Sequence, residues 1–144
     1  MYTARIKTAG ESMARSTTDV RSFKIFQDEP PELGGRDGAP SPLELILAAH
    51  GGCLSYMTFY IGKELGIEVK GTEVEVQASL NPAKFAGTDR EVRAGYQAFN
   101  VTIKVHADAT PEQLRKLQEE VETRCPVSDN IANATPVNIA LSAA

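Results

Sequence analysis

Alternation of hydrophobic and polar positions predicts two or three strands at the start of the chain. The alternation passes through residues 4–8 and returns at residues 23–25, with a turn near residues 10–12. Residues 28–40 follow with three prolines and three glycines, a composition typical of a loop. We therefore expect a small sheet that ends in an irregular segment.

A long helix is predicted after this loop. Ser41 is a capping residue, Pro42 takes the first helical position, and Glu44 completes a capping box. The helix is expected to run to Leu65, with Gly66 as a left-handed stop. Local sequence therefore specifies both ends of this helix.

The middle of this helix is apolar on every side, since residues 45–61 contain no Asp, Glu, Lys or Arg. A membrane span is the alternative explanation, and the polar or small residues of the segment argue against it. These residues are His50, Gly51, Gly52, Ser55 and Thr58. A helix that is apolar all round must be covered all round. Because one chain of this size must also build its sheets, we expect a second copy to cover part of the helix.

The second half of the chain predicts two long half-buried strands and another helix. The strands cover residues 74–80 and 99–105, and the helix begins with a capping box at Thr110. Pro126 is expected to end this helix, and alternation over residues 137–141 predicts a last strand. The order β-β-(β)-α-β-β-α-β favours an α+β fold with antiparallel sheets and two main helices.

Composition and charge narrow the class of protein. The 144 residues suit one domain, so residues 1–144 are predicted to be a single domain. Nineteen acidic and fifteen basic side chains give a net charge of −4, which argues against nucleic-acid and membrane-surface binding. The first residues contain no apolar signal segment, so a cytoplasmic location is expected. Two cysteines are too few for a secreted disulfide scaffold.

Both cysteines lie in sequence contexts that favour reactivity. Cys53 follows Gly51 and Gly52 inside the predicted helix, where each glycine costs roughly 0.8–1 kcal/mol relative to alanine. We expect another helix or a substrate to approach the backbone there. Cys125 directly precedes Pro126, which can begin a new helical turn. Its thiol would then lie at a helix N-terminus, which favours a thiolate.

Two other interpretations of the cysteines stay open. Free cysteines are often buried hydrophobes without reactivity. A metal site is the second, with four possible ligands: His50, Cys53, His106 and Cys125. Tetrahedral sites normally show tighter ligand pairs, so no metal and no cofactor is predicted. His50 is instead expected to be a partly buried residue that hydrogen-bonds a backbone carbonyl.

Two motifs carry a resemblance to a known family. The first occupies residues 28–53 and ends in PSPLELILAAHGGC, and the second is CPVS at residues 125–128. Their cysteines are 72 residues apart, and with the strand pattern the likeness covers nearly the whole chain. The chain thus resembles the OsmC/Ohr family of osmotically inducible and organic hydroperoxide resistance proteins.

The resemblance implies an OsmC-like α+β fold in an intertwined homodimer, with active sites at the dimer interface. It also implies a thiol peroxidase of the oxidative stress response. Cys53 would attack an organic hydroperoxide and become a sulfenic acid, which condenses readily with a neighbouring thiol. Cys125 would resolve it as a disulfide, and a dithiol reductant, such as a lipoyl group, would restore both thiols.

In the hydroperoxide-resistance branch, an arginine from the N-terminal strands and a glutamate directly after the proline hold the thiolate. Arg15 is the preferred arginine, with Arg21 and then Arg36 as alternatives. Leu43 stands at the glutamate's position. Glu44, one residue later, is the candidate catalytic carboxylate, although its capping box also explains it without catalysis.

An apolar wall beside Cys53 would suit an organic hydroperoxide. Its predicted members are Leu54, Tyr56, Met57, Phe59 and Tyr60. Two other function classes are alternatives to a peroxidase. One is a non-catalytic module that binds a small apolar ligand, and the other is a thiol redox sensor without fast turnover.

Overall fold

A computed structural model describes residues 1–143, and the chain divides into two units, Met1–Ala48 and Ala49–Ala144. The first unit contains a three-stranded antiparallel sheet whose strands lie side by side in chain order. Its strands are β1 (Lys7–Gly10), β2 (Ser16–Val20) and β3 (Phe23–Gln27). The predicted opening strands are confirmed, with the first shifted a few residues toward the C-terminus.

The loop after β3 is organised around the buried carboxylate of Asp28. It accepts hydrogen bonds from the amides of Glu29 (2.9 Å), Arg36 (3.3 Å) and Gly38 (3.1 Å). A short 3₁₀ turn at Pro31–Leu33 interrupts the segment that the sequence predicted as wholly irregular. The hydrogen bonds to this buried carboxylate therefore hold the loop in place where regular secondary structure is lacking.

The long helix α1 runs from Pro42 to Glu64 and ends one residue before the predicted last residue, Leu65. Its capping box is confirmed, because the Ser41 amide donates to the Glu44 carboxylate at 2.8 Å and the Glu44 amide donates to the Ser41 hydroxyl at 3.3 Å. The stop is confirmed as well, since Gly66 has a φ of +70°. By length and composition α1 could cross a membrane, a test that the core helices of soluble proteins also pass.

The second unit contains a two-stranded antiparallel sheet and two further helices. The strands are β4 (Val69–Ser79) and β5 (Ala98–Ala107). Both were predicted, although β4 begins five residues before the predicted stretch at 74–80. The helices are α2 (Pro111–Arg124) and α3 (Pro126–Ala132). The core of the unit is formed by α1, α2 and the residues that follow them. Its buried members are Leu54, Met57, Ile61, Ile67, Leu117, Val121 and Cys125.

The predicted last strand is wrong for the described residues. Residues 137–141 pair with no described strand, and the side chains of Val137, Ile139 and Leu141 are 77–98% exposed. An alternating pattern indicates only that one face of the segment could be buried. A strand also needs backbone hydrogen bonds to the edge of a neighbouring strand. The element after α2 is instead the short helix α3.

Candidate functional site

The structure brings the two cysteines together. Cys53 lies in the middle of α1, Cys125 lies between α2 and α3, and their sulfur atoms are 3.1 Å apart. Both are free thiols, and a disulfide would require the sulfurs to approach by about 1 Å, to about 2.05 Å. Cys53 is partly exposed, whereas Cys125 is only 1% exposed. The pair can therefore form a disulfide after a small movement, and a reagent from solvent reaches Cys53 more easily.

The position of Cys125 follows from the proline after it. Cys125 is extended and serves as both the C-cap of α2 and the N-cap of α3. Its sulfur accepts a hydrogen bond from the Ser128 amide, with an N···S distance of 3.4 Å. The predicted placement of Cys125 at a helix N-terminus is thus confirmed.

The glycine pair before Cys53 does not show the predicted close approach. A Cβ on Gly51 would meet Val76 at 3.6 Å, an ordinary contact with β4. A Cβ on Gly52 would have nothing within 4 Å among the described residues outside its own helix. No other helix of the described residues approaches this backbone, and the expectation that a helix or a substrate lies against it stays a prediction.

His50 is the site residue that sequence reasoning placed incorrectly. It is 5% exposed, and its Nε2 lies 2.8 Å from the Ser128 hydroxyl instead of a backbone carbonyl. Its ring packs edge-on against Phe99, with ring centroids 5.7 Å apart. Its Nδ1 is buried and has no hydrogen-bond partner in the part of the chain that the structure describes. The available signal was the CPVS motif, which places Ser128 three residues after Cys125.

The surroundings of the two thiols shift their pKa values in opposite directions. Burial raises the pKa of Cys53, and the hydrogen bond and negative charge of Cys125 raise it further, against the opposing effect of the Val127 amide. Burial also acts to raise the pKa of Cys125. Hydrogen bonds from the Ser128 hydroxyl, the Ser128 amide and Cys53 outweigh it, so the pKa of Cys125 lies below its usual value. Of the two thiols, Cys125 is therefore the easier to deprotonate.

A cavity of about 640 Å³ lies beside the His50–Ser128 pair, between α1, α2 and β5. Apolar side chains, including Leu54, Phe99 and Leu117, form much of its lining. The predicted apolar wall is wrong as a single surface, because its members lie on different sides of α1. Leu54 and Met57 are buried in the core, whereas Tyr56, Phe59 and Tyr60 are exposed.

The predicted arginines and Glu44 belong to the first unit, where each has its own partners. Arg15 directly precedes β2, and its Nε lies 4.0 Å from the Asp28 carboxylate. Arg21 lies in the β2–β3 turn with its guanidinium over Phe23, and Arg36 donates its amide to Asp28. The carboxylate of Glu44 accepts the capping hydrogen bond at the start of α1. The roles of Arg15 and Glu44 toward a thiolate stay predictions.

The four-ligand metal alternative is not supported by the placement of its ligands. His106 is exposed on β5, and its Nε2 lies 2.8 Å from the Glu73 carboxylate. No cluster of three or more His, Cys, Asp or Glu side chains suited to a metal ion occurs within residues 1–143.

Comparisons with known proteins agree with this architecture. A family model described as OsmC-like protein matches residues 35–140. An uncharacterized protein of Acinetobacter baylyi is 25% identical over 143 residues, covering 96% of this chain and 89% of that protein.

Solved structures share the fold at low sequence identity. The crystal structure of an OsmC-like protein from Mycoplasma pneumoniae has a TM-score of 0.78 at 15% identity, covering 91% of this chain and 88% of that one. The structure of an organic hydroperoxide resistance protein from Legionella pneumophila has a TM-score of 0.65 at 21% identity, covering 91% and 90%. These likenesses establish the α+β fold.

Proposed function

The chain belongs to the OsmC-like protein family, and we propose that it is a cysteine-based peroxidase that reduces organic hydroperoxides. The observation that carries the proposal is the 3.1 Å separation of the Cys53 and Cys125 sulfurs, from positions 72 residues apart. Support also comes from similar structures described as organic hydroperoxide resistance proteins.

Cys53 is the proposed peroxidatic residue because it is the more exposed thiol. Its thiolate attacks the outer oxygen of the hydroperoxide, the O–O bond breaks, and the alkoxide leaves and takes a proton as the alcohol. Since burial raises the pKa of Cys53, a nearby cation would promote this step. Arg15 is the proposed cation and Glu44 the proposed carboxylate, with Arg21 and Arg36 as alternative cations.

Cys125 is the proposed resolving residue. Its thiolate attacks the sulfur of the Cys53 sulfenic acid, the S–O bond breaks, and the departing hydroxide takes a proton from solvent to become water. An external dithiol then reduces the disulfide by thiol–disulfide exchange and is itself oxidised. The cycle requires no metal or organic cofactor.

We also propose that the protein is a cytoplasmic homodimer that acts in the oxidative stress response. Support for a second copy comes from the exposed aromatic side chains of α1, because Tyr56, Phe59 and Tyr60 are 42–64% exposed. Adjacent exposed aromatics are typical of a protein–protein interface.

Turnover of cumene hydroperoxide with dithiothreitol tests the function. We expect steady consumption by the parent protein and a fall to the uncatalysed background in Cys53→Ser. Cys125→Ser should form the sulfenic acid, which a dimedone adduct detects by mass spectrometry, without forming the intramolecular disulfide. Ser55→Ala is the matched control, since Ser55 lies on the same helix and its hydroxyl binds Thr72 at 2.6 Å.

The same assay separates the alternatives. A Cys53–Cys125 disulfide that forms without turnover would identify a redox sensor and contradict the peroxidase. Absence of all thiol chemistry would favour a module that binds a small apolar ligand, for which the cavity between α1, α2 and β5 is the available site.

A further inference from the structure

We propose that His50 and Ser128 are positioning residues that hold Cys125 as a thiolate through a hydrogen-bonded chain from His50 Nε2 to Ser128 Oγ to Cys125 Sγ. His50 Nε2 lies 2.8 Å from Ser128 Oγ, and the Ser128 amide donates a hydrogen bond to the Cys125 sulfur with an N···S distance of 3.4 Å. Among the groups that lower the pKa of Cys125, the Ser128 hydroxyl has the largest effect. The proposal rests on the proposed peroxidase cycle for its place in the reaction. The ionisation of Cys125 itself can be measured without any peroxide.

The direction of the chain follows from the unpaired nitrogen of His50. A proton on Nδ1 would be a buried donor without an acceptor among the described residues, and orphaned buried N–H groups are rare. We therefore assign the proton to Nε2, which donates to Ser128 Oγ. A hydroxyl has one proton to donate, and this arrangement leaves that proton available for the Cys125 sulfur.

This hydrogen-bonded chain is also consistent with a neutral His50. Burial lowers the pKa of His50, so at neutral pH its ring is uncharged and acts as a donor through Nε2. A neutral donor stabilises the thiolate through hydrogen bonding and does not need a buried cation.

Other charged groups lie near the hydrogen-bonded chain from His50 to Cys125 and have partners of their own. Glu122 lines the neighbouring cavity, and its carboxylate accepts a hydrogen bond of 2.7 Å from Gln118. Arg124 precedes Cys125, but its guanidinium binds the carboxylates of Glu64 and Glu120. Comparing variants that leave these groups unchanged isolates the effect of His50 and Ser128.

A thiolate at Cys125 serves two steps of the proposed cycle. It is the nucleophile that forms the S–S bond to oxidised Cys53 and expels hydroxide. In the return step, the thiolate of the reductant binds the Cys53 sulfur, the S–S bond breaks, and its electron pair goes to Cys125. A stabilised thiolate is the better leaving group, so the same hydrogen bonds favour reduction.

The test is a pH titration of Cys125 by ultraviolet thiolate absorbance, in the full-length Cys53→Ser protein so that one thiol remains. Adding Ser128→Ala should move the midpoint to higher pH. We expect the thiolate-to-thiol ratio at pH 7 to fall about tenfold, the order of effect of one hydrogen bond to a charged group. His50→Phe keeps the aromatic contact with Phe99 and should move the midpoint in the same direction by less. Ser128→Thr keeps the hydroxyl and should restore the parent midpoint.

Two matched variants control for general effects of a lost hydroxyl or imidazole. Ser55→Ala removes a serine hydroxyl from α1 that binds Thr72, and His106→Gln replaces the histidine that binds Glu73. Neither should change the titration. Unchanged midpoints in both Ser128→Ala and His50→Phe would overturn the proposal, and His50→Phe decides alone if Ser128→Ala does not fold. Shifted midpoints without peroxide turnover would instead refute the proposed function and leave this inference standing.

Discussion

The side chain of Asp28 shows how one buried charge can organise a loop. It is 2% exposed and accepts three backbone hydrogen bonds, and the Arg15 guanidinium lies 4.0 Å away. Burial acts to raise the pKa of Asp28, and the three amides and Arg15 outweigh it, so the pKa lies below its usual value. The ionised carboxylate therefore stabilises the folded loop.

Asp28→Asn should destabilise the protein at neutral pH. The side-chain amide carries no negative charge, and its NH2 group would face backbone N–H groups that also donate. Since the pKa of Asp28 is lower in the folded than in the unfolded state, its stabilising contribution is present above the unfolded value, about 3.9, and is lost as the pH falls through the folded value. Urea unfolding at several pH values should show a parent–variant difference that is largest at neutral pH and shrinks in acid.

Asp19→Asn is the control for this prediction. Asp19 is exposed and pairs with Lys24 at 2.6 Å, a surface ion pair that contributes about 0–1 kcal/mol. A parent–variant difference for Asp28→Asn that does not change with pH would contradict the assigned role of the charge.

Sequence reasoning identified the two candidate cysteines more completely than the residues around them. Cys53 and Cys125 stood out because local features, a glycine pair and a following proline, mark each one. The bond between His50 and Ser128 joins residues 78 positions apart and depends on how α1 and α3 meet. Hydrophobic periodicity and capping rules describe one element at a time, so they could not assign that partner.

At the scale of the element, the predictions succeeded where the determinants are local. Capping boxes fixed the starts of α1 and α2, and Gly66 fixed the end of α1. The strand expected at residues 137–141 failed because its formation depends on an edge elsewhere. Gly62 was not singled out by sequence, although a Cβ there would lie 2.6 Å from a methyl group of Val69.

Gly62→Ala should lower the free energy of unfolding by about 1–3 kcal/mol, the usual cost of overpacking a buried site. Val69 begins β4 and is stiff about χ1, so the clash requires a shift of backbone. Gly52→Ala, in the same helix, should instead raise the free energy of unfolding by about 0.8–1 kcal/mol, because its Cβ would meet open space and alanine favours the helix. Urea unfolding of both variants measures the contrast. Equal destabilisation by the two would show that the packing difference between these positions has been assigned incorrectly.

At the scale of the whole molecule, α1 is the element whose apolar surface this chain leaves incompletely covered. Leu54, Met57 and Ile61 fill the core of the second unit, while Tyr56 and Phe59 remain 64% and 42% exposed. Tyr56 also stacks on Tyr60, with ring centroids 6.0 Å apart. An aromatic surface on a helix without charges over residues 45–61 is the feature that the proposed homodimer explains.

Tyr56→Glu should therefore convert the proposed dimer into single chains. Placing a carboxylate in an apolar interface costs about 2 kcal/mol or more, because the charge would lose water without gaining a partner. Light scattering after size exclusion, at micromolar concentration, should give twice the 15.5 kDa chain mass for the parent and 15.5 kDa for the variant. Phe85→Glu is the control, since Phe85 is 78% exposed in the segment between β4 and β5 and should leave the dimer intact. A parent mass of one chain would refute the homodimer, and a Tyr56→Glu variant that stays dimeric would exclude this aromatic surface as its interface.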